Sequence, residues 1–522
     1  MADTKREIER KFEFTSAAGK AAGPSTAKGP AKAGAKRLPD LTGTAGITAV
    51  RRQGTVTLDA VYYDTPDLRL AADGLTLRRR TGGADEGWHL KLPVAPGIRD
   101  ELKAPLGDTT VPRSLASLLR SRTREAQLVP LVRLVSRRKV KHLLDTDGTL
   151  LAELSTDTVT AERGPAGAAW TEVEVELADG VDPALLDAVE KTFRKAGLKV
   201  SDAPSKLARA LAETGAAPAP RPEPGPADDS AGAHVLAYLR AQREALITQD
   251  PAVRRELPDS VHQMRVATRR LRSALATYSP VLDRTATDPL RAELRWLAGE
   301  LGADRDQEVL RERLRTRLGE VDVTLLLGPV RARLRVWDTA RRAETRLRVL
   351  AALDSQRYLT LLDSLDALLA DPPLRRAAAR PAEKVLAKAV RRDHDRLARR
   401  IERALTQDPG HPRDLALHQA RKAAKRARYA ADAAAPALGK RAEHLAKATK
   451  KVQTLLGDHQ DSVVAREALR GLAVQAAGAG ETAFTWGLLH GREEALAERY
   501  ERELPKVWAK TSRSGAAFAR GR

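Results

Sequence analysis

The sequence predicts two domains of different structural class, an α+β domain followed by an all-α domain. Up to Leu177, many segments alternate charged and apolar residues, which is the period of a β-strand with one polar face. Residues 215–233 are rich in Pro and Ala, which indicates a semi-rigid linker. Beyond them, Ala, Leu and Arg recur at helical spacing with few β-branched residues. We therefore expect domains over 1–214 and 234–510, joined by the linker over 215–233.

The composition points to an anionic partner. The chain has 522 residues, with 91 Lys and Arg against 69 Asp and Glu, a formal net charge of +22. Such a surplus predicts binding to nucleic acid, an anionic membrane or a polyphosphate. Aromatic residues make up only 3%, which disfavours stacking on single-stranded bases. The absence of cysteine excludes disulfides, thiolate chemistry and cysteine-based zinc sites. Without a long apolar run or a signal peptide, we expect a cytoplasmic protein with no membrane association.

The first strand carries an unusual set of charges. In the segment REIERKFEF, Glu7, Glu9 and Lys11 point one way, while Ile8 and Phe12 point the other. Two carboxylates with an ammonium beside them suit a wet cavity, where the carboxylates hold a divalent cation and the lysine meets phosphate oxygens. An exposed edge strand is the competing interpretation.

The strands that follow are sorted by the sign of their charge. Basic strands come first, in LTLRRR, GWHLKLP and SRRKVKH, and acidic strands come later, in LAELSTDTVTAER and WTEVEVEL. A closed or nearly closed barrel with a polar lumen and helices outside would explain this order, and a sandwich with a charged outer face is the alternative. A helix from about Pro183 to Ala196 and the segment SDAPSKLARAL close the domain. The polar candidates on the same faces are Arg78, Arg80, His89, Lys91, Glu101, Glu153, Ser155, Asp157, Glu172, Glu174, Glu176 and Lys206, with Arg138 or instead Arg137 and Lys139.

These segments together resemble the CYTH superfamily, the triphosphate tunnel metalloenzymes. EIERK matches the ExExK signature, and YYDTPDLRL, LTLRRR, WHLKLP, EVEVEL and SKLARAL continue the resemblance over roughly residues 5 to 213. The resemblance implies an eight-stranded antiparallel tunnel with flanking helices that hydrolyses tripolyphosphate or nucleoside triphosphates with Mg²⁺ or Mn²⁺. The Ala- and Gly-rich stretch at 15–37, which we interpret as a loop, is longer than the family needs. Class IV adenylate cyclases share the signature and are a further alternative.

The resemblance also implies roles for individual residues. Glu7, Glu9 and Lys11 would be catalytic. Glu101 is a further acidic candidate. The metal would be held by Glu7, Glu9, Glu174, Glu176 and Asp157, and the phosphates would be bound by Lys11, Arg78, Arg80, Lys91, Arg138 and Lys206.

The C-terminal half contains one basic motif twice. HQMRVATRRLR and HQARKAAKRAR each place a His and three cations at relative positions 0, 3, 7 and 10, which fall within an arc of about 80° on a helix. The apolar residues of the first copy, Met264, Ala267, Leu271, Leu275 and Tyr278, fall on the opposite side. A solvated helix face is the bland interpretation of one copy, but two copies favour a binding surface. The two sets are His262, Arg265, Arg269 and Arg272, and His418, Arg421, Lys425 and Arg428.

Other segments repeat at nearly the same distance. The VLA segments are offset by 385 − 235 = 150 residues, the histidines by 418 − 262 = 156, and the LG segments by 456 − 301 = 155. We therefore expect two related units of four helices each, over about 234–372 and 380–510, with the basic helices facing each other or lining one groove. Asp306 and Asp461 follow the LG segments, which we interpret as turns, and either orient an arginine or cap a helix.

This half resembles the CHAD family, which is associated with binding inorganic polyphosphate. HQMRVATRRLRSAL, LGADRDQEVL, LHQARKAAKRARYA and VQTLLGDHQD carry the resemblance over about residues 234 to 510. It implies polyphosphate binding by the two basic sets, with Lys422 and Arg426 at the rim. We expect a metal-dependent triphosphatase that binds polyphosphate and associates with polyphosphate granules. The alternative is a binding protein whose tunnel holds phosphate chains without turnover. Nucleic acid is a poor candidate, because these stripes lack side chains that read bases.

Overall fold

The computed structural model describes residues 3–15, 37–219 and 225–521. The chain divides into two compact units, Met1–Pro222 and Glu223–Arg522. The loop predicted at 15–37 lies outside the described residues except at its two ends, and part of the predicted linker, residues 220–224, also lies outside them.

The first unit contains nine strands and four helices in its described part. The strands are β1 (Asp3–Phe14), β2 (Ala49–Asp64), β3 (Thr76–Thr81), β4 (Gly87–Ala95), β5 (Ile98–Ala104), β6 (Val129–Leu144), β7 (Leu150–Arg163), β8 (Ala166–Leu177) and β9 (Leu198–Val200). The helices are α1 (Arg69–Ala72), α2 (Arg113–Thr123), α3 (Ala184–Lys195) and α4 (Lys206–Glu213).

Eight of the strands form a closed antiparallel sheet. Their order is β5-β4-β3-β2-β6-β7-β8-β1, and β1 pairs again with β5 to complete the ring, while β9 extends one end of β1. The predicted eight-stranded tunnel is therefore confirmed, and a sandwich is excluded. Strand β1 pairs with β5 over Asp3–Ile8 and with β8 over Glu9–Phe12. Because Glu7 and Glu9 are also buried, the interpretation of β1 as an exposed edge strand is wrong.

The outer face of the tunnel is apolar and packs against helices. Phe12 and Val173 meet Phe193 of α3 in one buried cluster, and Leu77 and Leu90 meet α2 in another. Since side chains alternate across a strand, these apolar residues leave their charged neighbours to face inward. The helices predicted outside the sheet thus explain why the charges lie in the lumen.

Helix α4 closes one end of the tunnel. Towards this end the inward positions change from charged to apolar, and these apolar side chains pack against Leu207 and Leu211 of α4 in a buried cluster. The side chain of Ser205 caps α4 by accepting from the Ala208 N–H at 3.0 Å. The cap fixes the first turn, so Lys206 projects from the end of α4 towards the charged part of the lumen. The inward apolar residues are Ala60, Tyr62, Val132, Leu134, Val159, Ala161 and Trp170.

The second unit is helical throughout its described part, with nine α-helices and two short 3-10 helices. None of the described helices combines the length and the apolar character needed to cross a lipid bilayer. The α-helices are α5 (Ala231–Arg254), α6 (Ser260–Thr277), α7 (Arg284–Gly319), α8 (Val330–Asp354), α9 (Gln356–Ala370), α10 (Ala382–Leu405), α11 (His411–Leu438), α12 (Lys440–Gly478) and α13 (Phe484–Ala519).

The helix order matches two units of four helices each, α5–α8 and α10–α13, as predicted. The additional helix α9 lies within the predicted range of the first unit, 234–372, which therefore contains five α-helices rather than four. Helices α6 and α11 carry the basic motifs, and each buries its opposite face. In α6 the apolar residues Met264, Ala267, Leu271, Leu275 and Tyr278 are all buried, as the helical period predicts. The Tyr278 hydroxyl also donates to the Ala430 carbonyl on α11 at 2.9 Å, which ties the two basic helices together.

The LG segments are not turns. Gly302 lies inside α7 and Gly457 inside α12. Asp306 and Asp461 are therefore in helix interiors, and the interpretation that they cap helices is wrong. A glycine within an otherwise helical pattern is compatible with an uninterrupted helix, at a cost of about 1 kcal/mol relative to alanine.

Candidate phosphate sites in the two units

The lumen of the tunnel is a charged cavity of about 410 Å³. Ten of the residues predicted for the tunnel site line it, and they come from β1, β3, β4, β6, β8 and α4. Asp157 is fully buried behind the lining and contacts two of these residues. The ten residues are Glu7, Glu9, Lys11, Arg78, Arg80, Lys91, Arg138, Glu174, Glu176 and Lys206.

Strand register explains why residues so far apart in sequence meet. Glu9 lies opposite Glu176, and Lys11 lies opposite Glu174, across the β1–β8 pair. Arg138 lies opposite Asp157 across the β6–β7 pair. The neighbouring Arg137 and Lys139 are exposed, so Arg138 is the one of the three alternatives that faces the lumen.

The charges of β1 are paired within the lumen. The Lys91 ammonium donates to Glu7, and the Lys11 ammonium lies 3.3 Å from Glu9 and donates to Glu174. Burial alone would raise the pKa of Glu9, but Lys11 and Lys91 outweigh it and hold this pKa at about 2. Burial raises the pKa of Glu7 despite the attraction of Lys91.

A buried group of three carboxylates lies beside Lys206. Oxygen atoms of Asp157, Glu172 and Glu174 lie within 4.8 Å of one another. The Lys206 Nζ is 2.9, 2.7 and 2.6 Å from these three side chains, in that order. Arg138 donates to Asp157 through two N–H groups, at 2.9 and 2.8 Å, and to Glu174 at 2.8 Å. Burial would raise the pKa of Glu174, but Lys11, Lys206 and Arg138 together hold it well below the usual range.

The donor set of this group fits a hard divalent cation. Mg²⁺ and Mn²⁺ prefer carboxylate oxygen ligands, and three such oxygens converge here from two adjacent strands. Asp157 and Glu174 belong to the predicted metal set, whereas Glu172 was not assigned to it. Glu7, Glu9 and Glu176 line the same cavity and can supply further oxygen ligands.

A second network lies around Glu101. The Glu101 carboxylate is 3.0 Å from His89 Nδ1, 3.5 Å from Arg78 and 3.8 Å from Lys91. Arg78 also donates to the Tyr62 hydroxyl at 3.4 Å. Although burial would raise the pKa of Glu101, its hydrogen bond with His89 and the charges of Lys91 and Arg78 lower it. This carboxylate is thus a charged group that orients two of the predicted phosphate ligands.

The second unit has a basic cavity of about 450 Å³ between the two motif helices and α7 and α12. Lys422 lies on its lining, as expected for a rim residue. Arg428 does not line it and instead donates to Gln453, which does, at 3.2 Å. Arg426 is not a rim residue, because it donates to Asp393 at 3.0 Å and to the Ala276 carbonyl at 2.9 Å. Seven of the eight predicted residues line the cavity: His262, Arg265, Arg269, Arg272, His418, Arg421 and Lys425.

The two repeats contribute matching ion pairs to this groove. Arg265 donates to Asp306 at 2.7 and 3.2 Å and lies over Gly302. Arg421 lies 3.7 Å from Asp461 and over Gly457. Asp306 therefore orients Arg265, the other role predicted for it, and Asp461 lies within ion-pair distance of Arg421.

The groove nevertheless has a surplus of positive charge. Burial and then the nearby Arg421, Arg269 and Arg265 lower the pKa of Lys425 to about 7. Burial also lowers the pKa of Arg269, whose Nε has no hydrogen-bond acceptor among the described residues. Cations that destabilise one another in this way favour an anionic ligand.

Comparison with known proteins finds one known domain in each of the two units. Residues 5–211 match the CYTH domain, and residues 237–470 match the CHAD domain. The uncharacterized protein Rv2226 of Mycobacterium tuberculosis (strain ATCC 25618 / H37Rv) is 40% identical over 495 residues, which cover 91% of this chain and 94% of that protein. The chain belongs to the CYTH–CHAD proteins.

Two other relatives each resemble one part of the chain. Human thiamine-triphosphatase is 34% identical over 124 residues, which cover 23% of this chain and 43% of that protein. The crystal structure of the CHAD domain from the plant Ricinus communis is 28% identical, with a TM-score of 0.45, over 56% of this chain and 96% of that chain.

The CYTH domain contains site residues that sequence reasoning missed. Lys5, Arg99 and Lys103 line the lumen, and each lies two residues from a predicted inward glutamate, Glu7 or Glu101. The same alternation that identified the glutamates could have found them. In the CHAD domain, Arg313, Gln453 and Gln460 line the groove from α7 and α12. Gln453 and Gln460 lie in the segment VQTLLGDHQD that carries the CHAD resemblance, which could have identified them, whereas only packing reveals Arg313.

Proposed function

We propose that the CYTH domain hydrolyses inorganic tripolyphosphate or a related triphosphate with Mg²⁺ or Mn²⁺, and that the CHAD domain binds inorganic polyphosphate. The observation that carries the first part is that cations and carboxylates meet in one lumen, where Lys206 alone contacts three buried carboxylates. The name of the human relative identifies it as a triphosphatase, which supports the proposal. The proposal keeps the domain boundaries 1–214, 215–233 and 234–510, with the helical domain extended at both ends because α5 begins at Ala231 and α13 ends at Ala519.

The two kinds of lumen charge would act on different parts of the substrate. Lys11, Arg78, Arg80, Lys91, Arg138 and Lys206 would bind phosphate oxygens and neutralise the charge that spreads over them as water attacks in line. Glu7, Glu9, Asp157, Glu174 and Glu176, together with Glu172, would hold the metal ion, which offsets phosphate charge and orients water when bound. Glu101 would hold Arg78 and Lys91 in place.

The groove of the CHAD domain would bind a phosphate chain by charge alone. His262, Arg265, Arg269, Arg272, His418, Arg421 and Lys425 would contact successive phosphates, with about one cation per helical turn on each motif helix. Arg428 would support the groove from behind by holding Gln453. Association with polyphosphate granules in the cytoplasm would follow from this affinity. Competition by duplex DNA at fixed salt tests whether the groove prefers polyphosphate.

Phosphate release tests the catalytic part. We expect release from tripolyphosphate or from ATP that depends on Mg²⁺ or Mn²⁺ and is abolished in Glu7→Ala and Lys11→Ala. Glu162→Ala and Lys139→Ala are matched controls, because both residues are exposed rather than facing the lumen. Retained release in both lumen variants would refute the assignment. Assaying ATP for cyclic AMP separates a triphosphatase from a cyclase.

The alternative is a tunnel that binds phosphate chains without turnover. One observation favours it, since the proposed metal ligands are already paired with cations of the domain, for example Glu7 with Lys91 and Glu176 with Lys5. A self-neutralised lumen can accept a phosphate chain by exchange without performing chemistry. Binding of tripolyphosphate with no release under any metal condition would establish this reading.

A further inference from the structure

The turn that joins β3 and β4, residues 82–86, lies against the lumen of the tunnel. Gly82 and Gly83 adopt left-handed backbone angles, with φ of +83° and +80°. A Cβ on Gly82 would come within 2.4 Å of the Thr57 carbonyl oxygen, and one on Gly83 would be 3.0 Å from the side chain of Leu58, which lines the cavity. Two glycines therefore let this turn lie closer to the lumen than a turn with side chains could.

Asp85 in this turn contacts basic side chains from three strands, Arg80, His89 and Lys103. Its carboxylate accepts from Arg80 Nη2 at 2.7 Å and from Lys103 Nζ at 3.0 Å. Its backbone carbonyl accepts from Arg80 Nε and Nη2 at 3.1 and 2.7 Å, and it lies 3.2 Å from His89 Nε2. Although burial would raise the pKa of Asp85, the Lys103 hydrogen bond and the Arg80 charge lower it, so the group is an anion.

The turn has hydrogen bonds that do not depend on the carboxylate. The backbone carbonyl of Asp85 accepts hydrogen bonds from Arg80 and lies within hydrogen-bond distance of His89, and any residue at this position would offer the same carbonyl. The carboxylate itself is half-exposed and lies among lumen-lining residues. A carboxylate and a terminal phosphate offer the same kind of acceptor to a guanidinium and an ammonium group.

We propose that the Asp85 carboxylate occupies one phosphate position of the lumen, at Arg80 and Lys103, and so limits the length of the phosphate chain that the tunnel accepts. The inference rests on the proposed function of the CYTH domain. A chain whose last phosphate meets Arg80 only at Nη1, which the hydrogen bonds to Asp85 do not use, leaves Asp85 in place. A longer chain must displace it and meets its negative charge, which disfavours tetrapolyphosphate relative to tripolyphosphate.

The test compares KM for tripolyphosphate and tetrapolyphosphate in steady-state phosphate release by the full chain. Asp85→Asn keeps the shape of the side chain and removes its charge. We expect its KM for tetrapolyphosphate, relative to that for tripolyphosphate, to fall by about tenfold, as one regained charged contact would give. Asp85→Glu should keep a ratio like that of the wild type. Asp59→Asn is the matched control, because Asp59 pairs with Arg133 and does not line the lumen.

The outcomes separate the two proposals. An unchanged ratio in Asp85→Asn, or an equal change in the control, would overturn the chain-length role. If the wild type releases no phosphate, the proposed catalysis fails, and the same ratio is then measured as affinity by calorimetry. That measurement uses Arg265→Glu/Arg421→Glu as the background, because we expect this double variant to weaken binding of the chain by the CHAD groove. A lower thermal midpoint of Asp85→Asn alone, with the ratio unchanged, would assign the carboxylate to holding the turn.

Discussion

The lumen of the CYTH domain and the groove of the CHAD domain both contain a dense set of cations, but carboxylates compensate this positive charge to different degrees in the two sites. In the lumen the cations face carboxylates, so that Lys206 contacts three of them and Lys11 two. In the groove Asp306 and Asp461 face a larger number of cations from both motif helices. The lumen balances its charge internally, whereas the groove keeps an excess.

This difference predicts what each site requires of its ligand. A phosphate chain that enters the lumen takes cations away from carboxylates, so the carboxylates need a replacement cation, and a divalent metal supplies one. A phosphate chain that enters the groove relieves repulsion among cations such as Lys425 and Arg269, and it needs no metal. The predictions below test this distinction, beginning with the largest effect.

The largest effect is expected from removing the lumen cation with the most partners. Lys206→Met keeps the volume of the side chain but leaves Asp157, Glu172 and Glu174 without their shared ammonium. We expect the free energy of unfolding of the CYTH domain to fall by about 3–5 kcal/mol, the cost of breaking a buried ion pair from one side. Denaturant unfolding without metal measures it.

Adding a divalent metal to Lys206→Met tests whether the three carboxylates can bind it. Mg²⁺ or Mn²⁺ should restore part of the stability of Lys206→Met, because a cation among the three carboxylates replaces the lost ammonium. Lys199→Met is the control, since Lys199 is an exposed partner of Glu13 and Asp202. Equal unfolding free energies of wild type and Lys206→Met would contradict the picture of a self-neutralised lumen.

The next effect concerns the groove. Arg265→Glu/Arg421→Glu reverses one cation from each repeat, and we expect polyphosphate affinity to fall by more than about 100-fold, since each charged contact is worth about 1.5–3 kcal/mol. Release of phosphate from tripolyphosphate should stay unchanged, because neither residue belongs to the tunnel.

Calorimetry with and without EDTA measures this affinity and its independence of metal. Arg399→Glu/Arg403→Glu carries the same charge change on exposed positions of α10 and serves as the control. If the control weakens binding as much as the groove variant, overall charge rather than the groove binds polyphosphate. If polyphosphate binding to the groove required Mg²⁺, the predicted difference in metal dependence between the lumen and the groove would be wrong.

Sequence periodicity accounts for much of what is seen in both domains, for a physical reason. A period of two sorts side chains to opposite faces of a strand, so Glu7, Glu9 and Lys11 could be placed together before the fold was known. Offsets of 3, 7 and 10 did the same for each basic helix. The alternation along β8 places Glu172, Glu174 and Glu176 on one face but does not show which of them bind metal. The predicted metal set therefore does not include Glu172.

What periodicity missed depends on tertiary packing. Gly302 and Gly457 suggested turns, but the long helices α7 and α12 tolerate them. Arg426 has the spacing of a rim residue, yet the buried Asp393 of α10 turns it away from the groove. Asp85 lies in a turn, where no period applies, and only the positions of Arg80 and Lys103 reveal its role.

A smaller effect should follow from the pH dependence of the groove. Because burial and neighbouring arginines lower the pKa of Lys425 to about 7, this lysine is charged below pH 7 and largely neutral above it in the empty groove. A bound phosphate chain raises this pKa, so the added affinity is present below pH 7 and is lost as the pH rises above it. We expect affinity to fall by up to about tenfold between pH 6 and pH 8, the value of one charged contact.

Lys425→Arg provides the control for this pH dependence, since arginine keeps its charge over this range. Calorimetry at the two pH values, in buffers of different ionisation enthalpy, measures the affinity and the proton taken up. Wild-type protein should take up a proton at pH 8, and Lys425→Arg should not. The same pH profile in both proteins would show that another group, such as His418, causes it.

The smallest effect is expected at the glycine beneath Arg421. A Cβ on Gly457 would lie 3.7 Å from Arg421 Nε, an ordinary van der Waals distance, so an alanine fits without moving the guanidinium. Because Gly457 lies inside α12, Gly457→Ala should raise the free energy of unfolding by about 1 kcal/mol through helix propensity. Polyphosphate affinity should be unchanged by calorimetry. Loss of affinity at equal or higher stability would mean that bound phosphate, rather than Arg421, needs the space above this glycine, and the floor of the groove would then be part of the binding site.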